Sequence, residues 1–207
     1  MFYFFTWRDI KIKYKQAVLG IGWSLLQPLM MVAIFSLVFG NGFRLNDGRM
    51  NIPYPVFVFS GLLFWNVFAN GVTNAGNSMV ANSNMIKKIY FPRLIIPVSS
   101  VLVAVFDLFM VLGVFVGFMY YFGIGFHFAQ LLWFTVSLLL TMFTALGLGA
   151  GMAALNVKYR DVKYILPFIV QLLLFVTPVI YPVSIVPYEW VRTLLSFNPI
   201  EIGRAHV

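Results

Sequence analysis

Residues 97–122 read PVSSVLVAVFDLFMVLGVFVGFMYYF, an unbroken apolar run in which Asp107 is the only charge. Runs of 18 or more apolar residues point to a membrane-crossing helix, because about 20 residues at about 1.5 Å each span a hydrocarbon core of about 30 Å. The run lacks the apolar-out, polar-in alternation of a barrel strand. Four further runs of this kind occur, at 18–43, 56–76, 129–155 and 164–183. The expected architecture is therefore an all-α integral membrane bundle. Composition agrees. Apolar types make up 61% of the 207 residues and charged types 10%, against about 45–50% and about 25% in soluble domains. That balance excludes an ordinary soluble enzyme and a disordered tail. The first long run begins only after four basic residues and is too long for the apolar stretch of a secretory signal peptide.

The charges between the runs set an expected orientation. Arg8, Lys11, Lys13 and Lys15 precede the first run. Lys87, Lys88 and Arg93 follow the second, and Lys158, Arg160 and Lys163 lie around the loop after the fourth. These ten basic residues face three on the opposite side, Arg44, Arg49 and Arg192, with Arg204 set aside. Basic residues collect in cytoplasmic loops, so the N-terminus is expected in the cytoplasm. The net charge of +8 is then a topology signal, and no nucleic-acid partner is expected. Pro28, Pro167 and Pro178 fall inside the runs, where kinks are tolerated.

Trp7 to Val18 reads as an amphipathic helix suited to the headgroup layer. Trp7, Ile10, Tyr14 and Val18 share one face, and Arg8, Lys11 and Lys15 another. A competing period-two alternation from Ile10 to Lys15 is short and has no partner strand. The segment is either a topogenic anchor or a helix that contacts a partner or a substrate headgroup. Within the second run, Asn66, Asn70 and Asn74 recur every four residues, beside Thr73 and Asn77, and so share a face. Amides in hydrocarbon are costly unless bonded, so this face points at protein or water. It is either interhelical glue or the lining of a polar path. Asp107 has no second acid, histidine or basic partner in any predicted span, which favours a neutral or hydrogen-bonded interior carboxyl over a proton relay. Gly113/Gly117 and Gly147/Gly151 form small-xxx-small pairs that permit close helix approach.

Chemistry has little material. The six acids and two histidines are scattered, with Asp47, His127 and Glu189 on the predicted outer face and Asp9 and Asp161 on the inner one. No catalytic residues and no metal site are expected. Cysteine is absent, which excludes disulfides and thiolate ligands. The run Gly147, Gly149, Gly151 has neither a preceding strand nor a following lysine, so it is not a phosphate loop, and no Walker-type loop occurs elsewhere. If ATP is used, another chain binds it.

Several motifs occur together in order. Trp7-Arg8-Asp9 is followed by Tyr14, Gly20, Trp23 and Pro28. Then come Lys87-Lys88-Ile89-Tyr90-Phe91-Pro92-Arg93 with Pro97, and Asn156-Val157 with Tyr159-Arg160-Asp161-Val162. Thr177-Pro178-Val179-Ile180-Tyr181-Pro182 and Asn198-Pro199 complete the set. This set, over about residues 4 to 200, resembles the ABC-2 type export permeases, in the branch that exports polysaccharides and polyol phosphates. The resemblance implies six spans, of which five are present, and a homodimer in the cytoplasmic (inner) membrane of a bacterium. It implies a separate ABC ATPase subunit that carries ATP and Mg, with no cofactor in this chain. The implied substrate is a lipid-linked glycan: O-antigen, capsule or teichoic-acid-like polymer.

By the same resemblance, Lys87, Lys88, Ile89, Tyr90, Phe91 and Arg93 form the loop that docks on the ATPase, and Tyr159, Arg160 and Asp161 a second cytoplasmic loop. Trp7, Arg8, Lys11, Tyr14 and Lys15 form an interfacial helix near the substrate entrance, in contact with membrane lipid. Residues 184–198 correspond to short outer-face helices. Residues 1–200 are expected to form one transmembrane domain. Residues 202–207 coincide with one reading frame of a sequencing adapter, so 201–207 are expected to be a non-native tail, and Met1 an internal methionine. Two alternatives to polymer export are an ABC-2 drug or lipid exporter and an ion-coupled secondary transporter, the latter resting on Asp107 alone. A membrane-embedded lipid enzyme would need clustered acids or histidines, and none is seen.

Overall fold

The computed structural model describes residues 2–15, 20–42, 52–88, 90–125, 128–159 and 161–181. Every regular element among them is helical. In chain order these are α1 (Phe2–Lys15), α2 (Gly20–Phe35) running into a π-helical segment (Ser36–Gly42), α3 (Tyr54–Ala81), the short α4 (Ser83–Ile86), α5 (Ile95–Tyr121), α6 (Phe128–Lys158) and α7 (Val162–Val176). Four helical stretches are long and apolar enough to cross a bilayer: Gly22–Gly40, Tyr54–Ala81, Ile95–Tyr121 and Gln130–Lys158. The helix that enters the fifth apolar run is α7, 15 residues long, about 22 Å of axis. Its end has a local cause. Pro178 disfavours a helical Thr177, and Val179 N–H instead bonds the Thr177 carbonyl at 2.6 Å, a tight turn.

The other helix ends are equally legible in their chemistry. Pro53 precedes α3 and its carbonyl accepts from Val56 and Phe57 N–H at 3.0 and 3.2 Å. Pro55 and Pro97 occupy the first turns of α3 and α5, where a missing N–H costs nothing. At the far end of α5, Gly123 has φ +68°. Its N–H bonds the Tyr120 carbonyl and Ile124 N–H bonds the Met119 carbonyl, each at 3.1 Å. That is the Schellman arrangement, which requires a left-handed residue at this position. α7 starts where the Asp161 carbonyl accepts from Tyr164 and Ile165.

The chain divides into two compact units. One comprises 1–20, 66–107 and 141–173, and all three basic segments belong to it. Its helices approach closely through glycine. A Cβ built on Gly149 of α6 would lie 2.6 Å from Ala75 Cβ and 3.5 Å from the Val72 backbone of α3. One on Gly71 would lie 3.2 Å from Ala145 Cβ, and one on Gly76 would strike Leu166. The small-xxx-small pairs expected from sequence do not serve this packing. Gly113, Gly117, Gly147 and Gly151 are exposed, with nothing within 4 Å of an added Cβ. Gly149 lies two residues from Gly147 and from Gly151, which turns it to the opposite side of the helix.

The second unit comprises 21–65, 108–140 and 174–207. Aromatic rings dominate its core. Phe59 sits edge-on to Phe115 and Phe118 at 5.3 and 5.6 Å, and Phe64 lies 5.2 Å from Phe134. Buried Tyr54 donates its hydroxyl to the Ile180 carbonyl at 2.7 Å. Tyr181 turns its hydroxyl back onto the Phe175 and Val176 carbonyls at 3.3 and 3.4 Å, which serves two of the acceptors orphaned at the end of α7.

Candidate functional site: the α1 face and its loops

α1 is helical as the spacing predicts, and its half-buried side carries both polar and apolar residues. Trp7 is exposed, whereas Arg8, Asp9, Ile10 and Tyr14 are half-buried. Polar contacts anchor the helix beside these residues. Arg8 donates from Nε and Nη2 to Asp9 Oδ1 at 2.9 and 2.7 Å. Its Nη2 also reaches Asn82 Oδ1 at 3.0 Å, and its guanidinium stacks 5.1 Å above Phe5. Ser99 of α5 donates to the other Asp9 oxygen at 3.3 Å. Phe5 in turn packs with Met85 and Ile86 against buried Phe91, Ile95 and Ile96.

The C-terminal end of α1 is held at a second point. Lys13 Nζ and Tyr14 Oη donate to the two carboxylate oxygens of Asp107, and the Tyr14 ring meets Phe106 edge-on at 6.1 Å. Asp107 lies about 18 Å along the axis from the start of α5 and is 8% exposed. Inserting a carboxylate at mid-span costs about 2.5–3.5 kcal/mol, and a cation and a phenol on one carboxylate offset that cost. Of the two sequence-based options for this residue, the bonded one holds, with an ionic partner that lies outside every predicted span. That is why a search confined to the spans missed it.

Two surface hollows flank α1, each of about 360 Å³. One is lined by Phe4, Trp7, Arg8, Lys11, Ile12 and Lys15. Lys11 Nζ stands 5.5 Å above the Trp7 ring, which stacks against Tyr3 at 6.3 Å. With Arg8 engaged by Asp9 and Asn82, the exposed cations of this groove are Lys11 and Lys15. The other hollow is lined by Asp9, Ile12, Lys13, Asn74, Ser100 and Val103.

The asparagine stripe divides. Asn77 faces inward, donating to the Thr73 carbonyl at 3.0 Å and accepting from Asn156 Nδ2 at 3.0 Å. Asn156, 2% exposed, also donates to the Gly76 carbonyl at 3.0 Å. That pair is the interhelical glue. Asn70 and Asn74 are exposed and Asn66 half-buried. Sequence reasoning passed over Asn156 as a packing residue. Its signal was a lone amide at the end of an apolar span, opposite a stripe of amides.

In the loop after α3, Lys87, Lys88, Tyr90 and Arg93 are exposed, whereas Phe91 is turned into the chain. Ile89 lies outside the described residues. In the second loop, Tyr159 and Asp161 are exposed, and Lys158 Nζ lies 5.1 Å above the Tyr159 ring. Arg160 lies outside the described residues, as do residues 184–198 and 201–207. Among the described residues, no group of three or more His, Cys, Asp or Glu forms a metal site.

Four helices long and apolar enough to cross a bilayer define a multi-pass membrane protein. The chain belongs to the ABC-2 type transporter family, which it matches over residues 1–203. It is 31% identical over 197 residues to the O-antigen export system permease protein RfbA of Myxococcus xanthus, covering 93% of this chain and 73% of that protein. It is 30% identical over 202 residues to RfbA of Klebsiella pneumoniae, covering 94% and 73%. The polysialic acid transport protein KpsM of Escherichia coli is 25% identical over 203 residues, covering 93% and 74%.

Proposed function

We propose that this chain is the membrane-spanning subunit of an ATP-driven exporter that carries a lipid-linked polysaccharide across the cytoplasmic membrane. The carrying observation is the set of relatives, in which permeases named for O-antigen export and for polysialic acid transport each align over more than nine-tenths of the chain. Two copies associate, and each engages a separate ABC ATPase subunit. Residues 1–200 act as one transmembrane domain with the N-terminus in the cytoplasm. Ten basic residues on three segments of one unit support that orientation.

In this reading the permease performs no covalent chemistry. The exposed Lys87, Lys88, Tyr90 and Arg93 receive the ATPase, and the Tyr159–Asp161 segment adds a second contact. ATP and Mg belong to that partner. The Trp7, Lys11 and Lys15 groove attracts the anionic headgroup of the lipid carrier, since a lysine near a membrane surface contributes about 1 kcal/mol toward anionic lipid. Asn70 and Asn74 are exposed within α3, where amides facing hydrocarbon are costly. They therefore face a polar path or the second copy. ATP-driven closure of the partner subunits switches the helices between packed states.

The test is reconstitution of the intact permease with its ATPase subunit in vesicles loaded with lipid-linked polymer. Polymer that crosses only with hydrolysable ATP is the expected result. Transport that survives ATP depletion and collapses with an ion gradient refutes the proposal in favour of an ion-coupled carrier. ATP-dependent movement of small lipids or drugs without polymer moves the chain to another branch of the same family.

A further inference from the structure

The second hollow beside α1 opens between α1, α3 and α5, lined by Asp9, Ile12, Lys13, Asn74, Ser100 and Val103. Ser100 lies five residues into α5, and Asn74 seven residues before the end of α3. The hollow therefore sits about 7–10 Å in from the ends of two spans, about the depth at which headgroups meet acyl chains. Its charges cancel. Asp9 is paired with Arg8 and Lys13 with Asp107, whereas the neighbouring groove carries Lys11 and Lys15 with no acid in its lining. Hydrogen-bonding capacity nevertheless remains. Lys13 has three N–H donors and gives one to Asp107. The exposed Asn74 amide makes no hydrogen bond among the described residues, a costly state at this depth unless something polar fills the hollow. Ser100 donates to the Ile96 carbonyl at 3.2 Å, which leaves its oxygen able to accept. Donors and acceptors are thus mixed, and Ile12 and Val103 supply an apolar wall. A phosphate would meet the Asp9 carboxylate. A neutral polyol matches the lining, since its hydroxyls donate and accept and its C–H face is apolar. Ile12 also lines the Trp7, Lys11 and Lys15 groove, so the two hollows adjoin across one side chain.

We propose that this hollow binds the sugar joined directly to the carrier phosphate, with Lys13, Asn74 and Ser100 as the groups that engage its hydroxyls. The inference rests on the lipid-linked polysaccharide reading and adds to it the place where the first sugar is recognised. The phosphate lies against Lys11 and Lys15, and the sugar, one ester link away, lies on the other side of Ile12.

The experiment uses the intact permease with its ATPase subunit in nanodiscs of zwitterionic lipid. The probes are the methyl, glyceryl and glycosyl esters of hexadecyl phosphate, which carry the same charge, the glycosyl set covering several hexoses and N-acetylhexosamines. Affinities are read by displacement of a fluorescent hexadecyl phosphate ester. The best glycosyl ester is expected to outbind the methyl ester by about tenfold, the worth of two or three hydrogen bonds. Asn74→Leu and Ser100→Ala are each expected to lower that preference by about threefold, with the methyl ester bound as before. A residue that merely holds the fold together would weaken both esters alike. Lys11→Gln with Lys15→Gln should do that, lowering both affinities and keeping the preference. Equal binding of the methyl and glycosyl esters overturns the sugar site and leaves the anionic groove standing. So does a glyceryl ester that gains as much as any glycosyl one, which makes the hollow a site for membrane-lipid headgroups. A preference that survives both Asn74→Leu and Ser100→Ala also overturns it. If the wild-type complex binds none of the esters, the anionic groove falls and the sugar site with it, while ATP-driven polymer transport still decides the export reading by itself.

Discussion

Placing a methyl group on Gly149 or on Gly151 probes whether α3 and α6 meet as described. The two positions have identical side chains and lie on one helix. Gly149→Ala brings its Cβ to 2.6 Å from Ala75 Cβ, about 1 Å inside ordinary carbon contact. The Ala75 methyl has no rotamer to yield, and the Val72 backbone stands 3.5 Å away. Relief therefore requires the two helices to separate. Overpacking of this kind costs about 1–3 kcal/mol, partly offset by up to about 1 kcal/mol from the better helix propensity of alanine. Gly151→Ala meets nothing within 4 Å and keeps only the favourable contribution. The expected difference in unfolding free energy between the variants is about 1–3 kcal/mol, Gly149→Ala being the less stable. Reversible unfolding of the intact permease in mixed micelles, titrated with denaturing detergent, measures it. Equal stability of the two variants, or Gly151→Ala being the weaker, refutes the packing of α6 on α3.

Asn156→Leu removes the donor to the Gly76 carbonyl and to Asn77. At about 0.6 kcal/mol for each bond within a membrane, it should lower stability by about 1 kcal/mol in the same assay. Asn74→Leu, at an exposed position, should leave stability unchanged and reduce export in the reconstituted system; undiminished export would remove Asn74 from the path. Lys11→Gln with Lys15→Gln should weaken capture of anionic-headgroup lipid by about 1 kcal/mol per lysine in a vesicle-exchange assay. Arg8→Gln should instead lower the yield of folded permease, because Arg8 is committed to Asp9 and Asn82. Gly123→Ala forces alanine to φ +68° and should destabilise the end of α5 by about 1–2 kcal/mol, read as faster hydrogen exchange at Ile124.

Much of the fold was legible because its signals are local. Hydropathy along 97–122 and its fellow runs specifies membrane helices whatever they pack against, since backbone groups in lipid must be satisfied within the helix. Charge asymmetry between runs is equally local, whereas the end of α7 was not read: Pro178 was expected to kink a span running to residue 183, and the helix ends at Val176. The motif order from Trp7 to Pro199 was sufficient to place the family. The site was less legible, because helical spacing says which residues share a face and not what that face meets. Asn66, Asn70 and Asn74 formed the stripe with Asn77 alongside, yet it is Asn77 that meets Asn156. Gly147 and Gly151 looked like the contact, yet Gly149 makes it.

The sequence alone determined that this is an all-helical membrane chain of the ABC-2 type, with basic segments between its spans. Only the tertiary structure decided what Asp107 meets. Its cation lies on α1, 94 residues away in the chain, beyond any window that periodicity can read. The physical reason is that burying a charge is a property of the space around it, and that space is assembled from elements whose order in sequence carries no distance.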